Sequence, residues 1–172
     1  MYFDAMTISA LVDEFMDELV GGRVQNTIDV DHTGYGLEIY SNHQRHYLYM
    51  SADQQVPRVH QVGDTLRRGL YKPKQLGLLF RRFIKGSILM HVSQPEWERI
   101  LFFDFEHPEY GESRIVIEPM PRRANILLLR EGKILDCVHR VSAEDNRYRQ
   151  SLPNYAYEMP PPLEGRINPY EL

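Results

Sequence analysis

The chain of 172 residues holds a single cysteine, Cys137, so no disulfide can form within it and a reducing setting is expected. Apolar runs are short: none approaches the roughly 18 residues that a membrane helix needs. The opening MYFDAMTIS lacks the basic flank and apolar centre of a secretory signal. Together these absences lead to the expectation of a soluble, cytoplasmic protein that does not meet a membrane. Positive charge is also in deficit, with 20 Lys and Arg against 24 Asp and Glu for a net charge of -4. That balance excludes polyanion binding driven by the charge of the whole domain and leaves room only for a local site. Internal repeats and low-complexity tracts are missing as well.

What remains is the composition of a folded domain, 42% hydrophobic and 26% charged. From Thr7 to Val20, apolar Ile8, Leu11, Val12, Phe15, Met16, Leu19 and Val20 recur at helical spacing, with Asp13, Glu14, Asp17 and Glu18 on the other side. Gly21-Gly22 stops that helix. The period then changes, and RVQNTIDVD, YGLEIYS, HYLYMSA and RVHQV read as a meander of antiparallel strands. Helical spacing returns from Pro73 to Ile84. Five more strands follow, SILMHVSQ, ERILFFDFEH, SRIVIEPM, NILLLRE and KILDCVHRV, the last two joined by a hairpin around Glu131-Gly132. Prolines 160 to 162 mark an extended linker, so residues 1–162 are expected as one domain and 163–172 as the start of a further segment. The order helix, strands, helix, strands gives an α+β domain whose two antiparallel sheets form a sandwich flanked by helices.

Catalytic and metal chemistry find little support. Seven histidines, His32, His43, His46, His60, His91, His107 and His139, have no metal-ligand spacing on any one element and no second cysteine to assist them. There is no Gly-x-Ser-x-Gly, and Cys137 sits within a strand, where it serves as a small buried hydrophobe. Gly34 and Gly36 precede a strand, not the helix N-terminus that a phosphate loop requires. Asp104 and Glu106 share the wet face of one strand. No catalytic residue, metal or cofactor is therefore expected. The arginines are more suggestive, because guanidinium forks bind phosphate oxygens in pairs and stack on bases. Arg67-Arg68, Arg81-Arg82, Arg99, Arg122-Arg123, Arg130, Arg140, Arg147 and Arg149 are the candidates, with Trp97 and Tyr148 as stacking neighbours. The competing reading pairs them with local acids such as Asp145, Glu98 or Glu118.

Several strings occur in a telling order: FDAMTISALVDEFMDELVGGRV, LGLLFRRFIKGSI, ERILFFDF, EPMPRRANILLL, KILDCVHRVS, NRYR and PPP. Over residues 1 to 162 the chain resembles the N-terminal domain of the NFACT family, which includes bacterial RqcH (also called fibronectin-binding protein A) and eukaryotic NEMF. The resemblance implies a fold similar to the N-terminal domain of formamidopyrimidine-DNA glycosylases. It further implies a role in ribosome-associated quality control: binding the large ribosomal subunit with its stalled nascent chain, and tRNA, alanyl-tRNA in bacteria, for untemplated C-terminal tailing. The remaining NFACT modules of the parent protein would be partners. The family's Asp-Arg pair, tied to tRNA binding, corresponds here to Glu98-Arg99, whose carboxylate is one methylene longer. The family segment Met-Gly-Arg-x-x-Asn corresponds to the stretch around Arg122 and Arg123. Glu98, Arg99, Arg122, Arg123, Arg147 and Arg149 are accordingly the expected RNA-binding residues, with Glu98 orienting Arg99. Arg122 could instead hold Glu118 or the Asp136 region while Asn125 caps the turn. A glycosylase would need an N-terminal proline as nucleophile, and this chain starts Met1-Tyr2-Phe3-Asp4. The remaining alternatives are thus a DNA-processing domain of that kind and a fibronectin-binding surface adhesin.

Overall fold

A computed structural model describes residues 4–70, 72–95, 98–146 and 149–160. The first helix, α1 (Ala5–Glu18), begins where Asp4 adopts extended backbone and accepts the Thr7 N–H at 2.7 Å. Such a side-chain cap satisfies one of the donors that every helix start leaves over. Ile8, Phe15 and Leu19 carry the helix's buried stripe, and Phe15 meets Phe103 with ring centroids 5.7 Å apart. Gly21, at φ 89°, turns the chain out of the helix, and its N–H donates to the Leu89 carbonyl at 2.8 Å. A left-handed residue is needed there, and glycine takes that conformation without a side-chain clash.

Four strands follow as the expected meander: β1 (Arg23–Asp29), β2 (Gly34–Ser41), β3 (Gln44–Ser51) and β4 (Arg58–Val62). The second helix, α2 (Gln75–Phe83), buries Leu76, Gly77 and Phe80. Phe80 stands edge-on to Tyr35 of β2 at 5.1 Å. Then come β5 (Ile88–Ser93), β6 (Leu101–His107), β7 (Gly111–Glu118), β8 (Asn125–Arg130) and β9 (Lys133–Cys137). The β8–β9 hairpin turns at Glu131 and Gly132, both at positive φ (54° and 77°), the primed geometry that matches strand twist.

All pairings are antiparallel, in the order β4-β3-β2-β1-β5-β6-β7-β8-β9. The two expected sheets are thus the two halves of one continuous sheet, joined where Arg23 of β1 pairs with Ile88 of β5. Both halves feed one core. Leu37, Ile39, Leu48 and Met50 from the first half cluster with Phe103, Ile115, Ile117, Ile126 and Leu128 from the second, under α1 and α2. Each such side chain contributes about 1.5–3 kcal/mol on leaving water, and this shared core holds the loops at the sheet's ends in place.

Two boundaries differ from the sequence reading. Strand β6 starts at Leu101, so Glu98 and Arg99 belong to the loop before it. Strand β9 stops at Cys137, because the Asn125 side chain takes over the ladder there: its Oδ1 accepts the His139 N–H at 3.0 Å and its amide donates to the His139 carbonyl at 2.8 Å. Asn125 therefore bridges two strand ends and does not cap a turn. A second apolar cluster, Ile100, Val116, Leu127, Leu129, Ile134 and Cys137, lies apart from the main core with Tyr157 packed against it. The segment bearing Tyr157 crosses the β8–β9 hairpin as a strap. Its Tyr157 N–H donates to the Gly132 carbonyl at 2.9 Å, and its Tyr155 carbonyl accepts the Ile134 N–H at 2.8 Å. The boundary expected at residues 162–163 lies outside the described residues.

Candidate nucleic-acid interface

Strand register decides which loops meet. Leu101 of β6 lies opposite Ile117 of β7, and Glu118 of β7 opposite Asn125 of β8. The loop before β6 and the turn between β7 and β8 therefore leave the same end of the sheet. The first carries Glu98 and Arg99, the second Arg122 and Arg123.

The β5–β6 loop is built on hydrogen bonds. The Glu98 N–H donates to the Pro95 carbonyl at 2.8 Å, and the Gln94 amide donates to the Glu98 carbonyl at 2.6 Å and to the Ala5 carbonyl at 3.0 Å. Gln94 thereby ties the loop to the start of α1, and Ile100, 1% exposed, anchors its far side. Arg99 is half-buried. Among the described residues no hydrogen bond or ion pair engages its guanidinium. Glu98 does not pair with it, so the expected orienting bond is absent. Arg99 acts on the Asp4 carboxyl, which is held below its usual range mainly by the Thr7 hydrogen bonds, with Arg99 a smaller contributor.

The β7–β8 turn is braced by Gln54 from the loop between β3 and β4. Its carbonyl accepts the Arg122 N–H at 2.7 Å and its side-chain oxygen accepts the Ala124 N–H at 2.8 Å. Arg122 adopts φ 68°, a left-handed position costly for a non-glycine residue, which the surrounding bonds over-determine. Both Arg122 and Arg123 are exposed, and neither guanidinium has a partner among the described residues. The alternative that Arg122 holds Glu118 or Asp136 is not realised. Asp136 takes Arg140 at 3.2 Å, and Glu118 takes Arg149.

Arg149 stands apart from the other candidates. Its Nη1 donates to Glu118 Oε1 at 3.2 Å, its Nη2 to Oε2, and its Nε to the Glu158 carbonyl at 2.7 Å. With its side chain 15% exposed and Glu118 1% exposed, this guanidinium is committed to the interior, where it fixes the strap. The sequence pointed to Arg149 as an RNA contact because basic residues cluster there, but spacing cannot show that the partner is a carboxylate 31 residues away. Arg147, Trp97 and Tyr148 lie outside the described residues.

The other chemical candidates resolve into structure. Asp104 is gripped by Arg114, with Nε–Oδ1 at 2.6 Å and Nη2–Oδ2 at 3.1 Å. Burial pushes the Cys137 thiol up to about 12, with Asp136 adding to the shift. No group of three or more His, Cys, Asp or Glu that could hold a metal ion occurs among the described residues. No helix among them is long and apolar enough to cross a membrane.

One continuous antiparallel sheet capped by two helices makes this an α+β domain, with Arg99, Arg122 and Arg123 on two braced loops at one end of the sheet. A family model described as NFACT N-terminal and middle domains matches residues 4–172, and the chain belongs to that family. Among curated relatives, the Rqc2 homolog RqcH of Streptococcus pneumoniae is 29% identical over 178 residues, covering 100% of this chain and 32% of the relative. The chain thus spans about a third of the length of that relative. Among solved structures, the N-terminal part of the fibronectin/fibrinogen-binding protein from Streptococcus suis superposes with a TM-score of 0.90 at 28% identity, covering 99% of this chain and 66% of that one. The N-terminal domain of fibronectin-binding protein PavA from Streptococcus pneumoniae gives a TM-score of 0.87 at 28% identity, covering 99% of this chain and 67% of that one.

Proposed function

We propose that this chain is the N-terminal module of a cytoplasmic ribosome-associated quality control factor, which contacts tRNA and the large ribosomal subunit and breaks no bond itself. One observation carries the reading. Arg45, Arg81, Arg114, Arg140 and Arg149 each meet a carboxylate, whereas Arg99, Arg122 and Arg123 meet none among the described residues, as do Arg23, Arg58, Arg67, Arg82 and Arg130 elsewhere, and these three share one end of the sheet on braced loops. An unpaired guanidinium on a braced loop is suited to a phosphate oxygen or a base edge, because little freedom is lost when the contact forms. Family membership and relatives named Rqc2 homolog RqcH support the same reading. Within it, Arg99 makes the principal RNA contact, Arg122 and Arg123 add to it, and Arg149 holds the strap in place.

Binding of tRNA to the parent protein tests the assignment. Arg99→Ala should weaken affinity and lower the slope of log affinity against log salt by about one, as loss of a single phosphate contact does. Unchanged affinity and unchanged untemplated tailing would refute it. A second reading, attachment to fibronectin, is favoured by the names of the two solved structures at 28% identity. Immobilised fibronectin that captures the chain while tRNA does not bind would favour that reading instead.

A further inference from the structure

The end of the sheet opposite Arg99, Arg122 and Arg123 carries a second set of positive charges. Register places it: His107 of β6 pairs with Gly111 of β7, and Arg130 of β8 with Lys133 of β9, at the far ends of the strands that border those three arginines. The C-terminus of α2 meets the same end. Arg82 Cζ lies 5.3 Å from the centroid of the Phe83 ring and 5.5 Å from that of Tyr110, and Arg130 Cζ lies 4.4 Å from that of Phe83. Phe83 and Tyr110 stand edge to face at 5.3 Å, and His107 packs on Tyr110 at 4.9 Å. Arg23 joins from β1: its Nη1 donates to the Gly86 carbonyl at 2.7 Å, and a Cβ on Gly86 would stand 3.4 Å from His107 Nε2.

Two guanidiniums over one ring stand within about 10 Å of each other, close to the screening length of physiological salt, so each raises the potential at the other. No carboxylate relieves them. Glu106, Glu109, Glu112 and Glu131 occupy neighbouring strand ends and turns, yet among the described residues none forms an ion pair with Arg23, Arg82 or Arg130. Arg81, one position away, does meet an acid, Asp29 at 3.7 Å. The dipole of α2 accounts for a basic residue in its last turn, but not for a second one brought to the same ring from β8. Arg130 is fixed there by neutral oxygens, its Nη1 donating to Ser113 Oγ at 2.9 Å and its Nη2 to the Tyr110 carbonyl. Arg82 is exposed and forms no hydrogen bond among the described residues, so its five N–H donors are unspent.

We infer that this patch is a second RNA-binding surface, which takes a single-stranded segment: Arg82 and Arg130 hold its phosphates, and an unstacked base lies on the free face of the Arg82 guanidinium. A guanidinium seated over aromatic rings is a flat platform on its open side, while its edge donates to phosphate oxygens, a combination that suits RNA whose bases are splayed out. An acidic polypeptide would satisfy the charge and leave the platform unused. The inference rests on the reading of this domain as an RNA-binding module and extends it, since two RNA segments are then held at opposite ends of one sheet.

Fluorescence anisotropy of a labelled short oligouridine tests the surface, with the full chain, its Arg99→Ala/Arg122→Ala/Arg123→Ala variant, and each of these with Arg82→Ala added. The triple variant should still bind. Arg82→Ala should weaken binding roughly tenfold in either background and lower the slope of log affinity against log salt by about 0.7, as loss of one phosphate contact does on a single strand. Arg82→Lys keeps the charge without the flat platform, so it should retain the slope and still lose affinity. Melting curves verify that these surface variants fold as wild type does. A triple variant that binds nothing while wild type binds, or Arg82→Ala without effect, overturns this inference and leaves the other end of the sheet as assigned. Polyglutamate that displaces the RNA at equal charge overturns it in favour of an acidic partner, and a wild-type chain that binds no oligouridine overturns both. If Arg82→Ala costs affinity and the triple substitution does not, the assignment of Arg99, Arg122 and Arg123 fails and this one stands.

Discussion

Arg149 closes on the carboxylate of Glu118 with both terminal nitrogens, 31 residues along the chain and inside the protein, while the Tyr157 hydroxyl donates to the same carboxylate at 2.7 Å. Removing one member of such a pair leaves an uncompensated buried charge. Arg149→Ala should therefore cost about 3–5 kcal/mol, read as a lower urea midpoint, with faster hydrogen exchange at the Tyr157 and Ile134 amides. Replacing both partners by Leu should cost less than the single change. If Arg149→Ala leaves stability untouched, Arg149 does not anchor the strap.

Gly77 lies in the first turn of α2 with the Asp29 carboxylate directly above it, since a Cβ there would stand 2.0 Å from Asp29 Oδ1. Alanine is worth up to about 1 kcal/mol over glycine in an open helix. Here the collision should reverse the sign, and Gly77→Ala should destabilise by about 1–3 kcal/mol, the usual cost of overpacking. Thermal unfolding of the variant checks it, and a rise in melting temperature would contradict the close approach.

Burial raises the Asp29 carboxyl above its ordinary value of 3.8, against the pull of Arg81 and Arg68. The folded chain thus binds this proton more tightly than the unfolded chain does. The associated stability is fully present below the unfolded value and is lost as pH rises through the folded one. The advantage of Asp29→Asn over wild type should accordingly grow from pH 3 to pH 7, roughly the span across which a raised carboxyl titrates. Melting curves at both ends of that range give the comparison, and a pH-independent difference would count against the buried carboxyl.

The Cys137 thiol, pushed up to about 12 by burial, should resist alkylation in native protein at mildly alkaline pH and react once urea unfolds the chain. Rapid labelling of the native state would show that the second apolar cluster is open.

Helical and strand periods made most of this architecture readable, because α1, α2 and the strands each bury one face and that face recurs at a fixed spacing. The chemistry at the sheet's end was only partly legible. Arg122 and Arg123 stood out as a basic pair, but the Gln54 brace that holds their turn comes from a loop some 70 residues earlier, which no local pattern reveals. Glu98 and Arg99 read as the start of a strand, yet Gln94 draws them into a loop fastened to α1. The strap was the largest omission. Its order comes from Glu118 and from backbone bonds to Gly132 and Ile134, so the aperiodic sequence between Ser142 and Pro160 reads as the end of regular structure.

Salt dependence of tRNA binding tests the central claim most directly. The slope of log affinity against log salt should be compared between the parent protein, its Arg99→Ala/Arg122→Ala/Arg123→Ala variant, and an Arg45→Ala control whose side chain is 70% exposed on the β2–β3 hairpin. Phosphate contacts release counterions, so the triple variant should lose slope by about 2–3 while the control keeps it. Equal slopes in all three proteins would contradict the assignment of that end of the sheet to RNA.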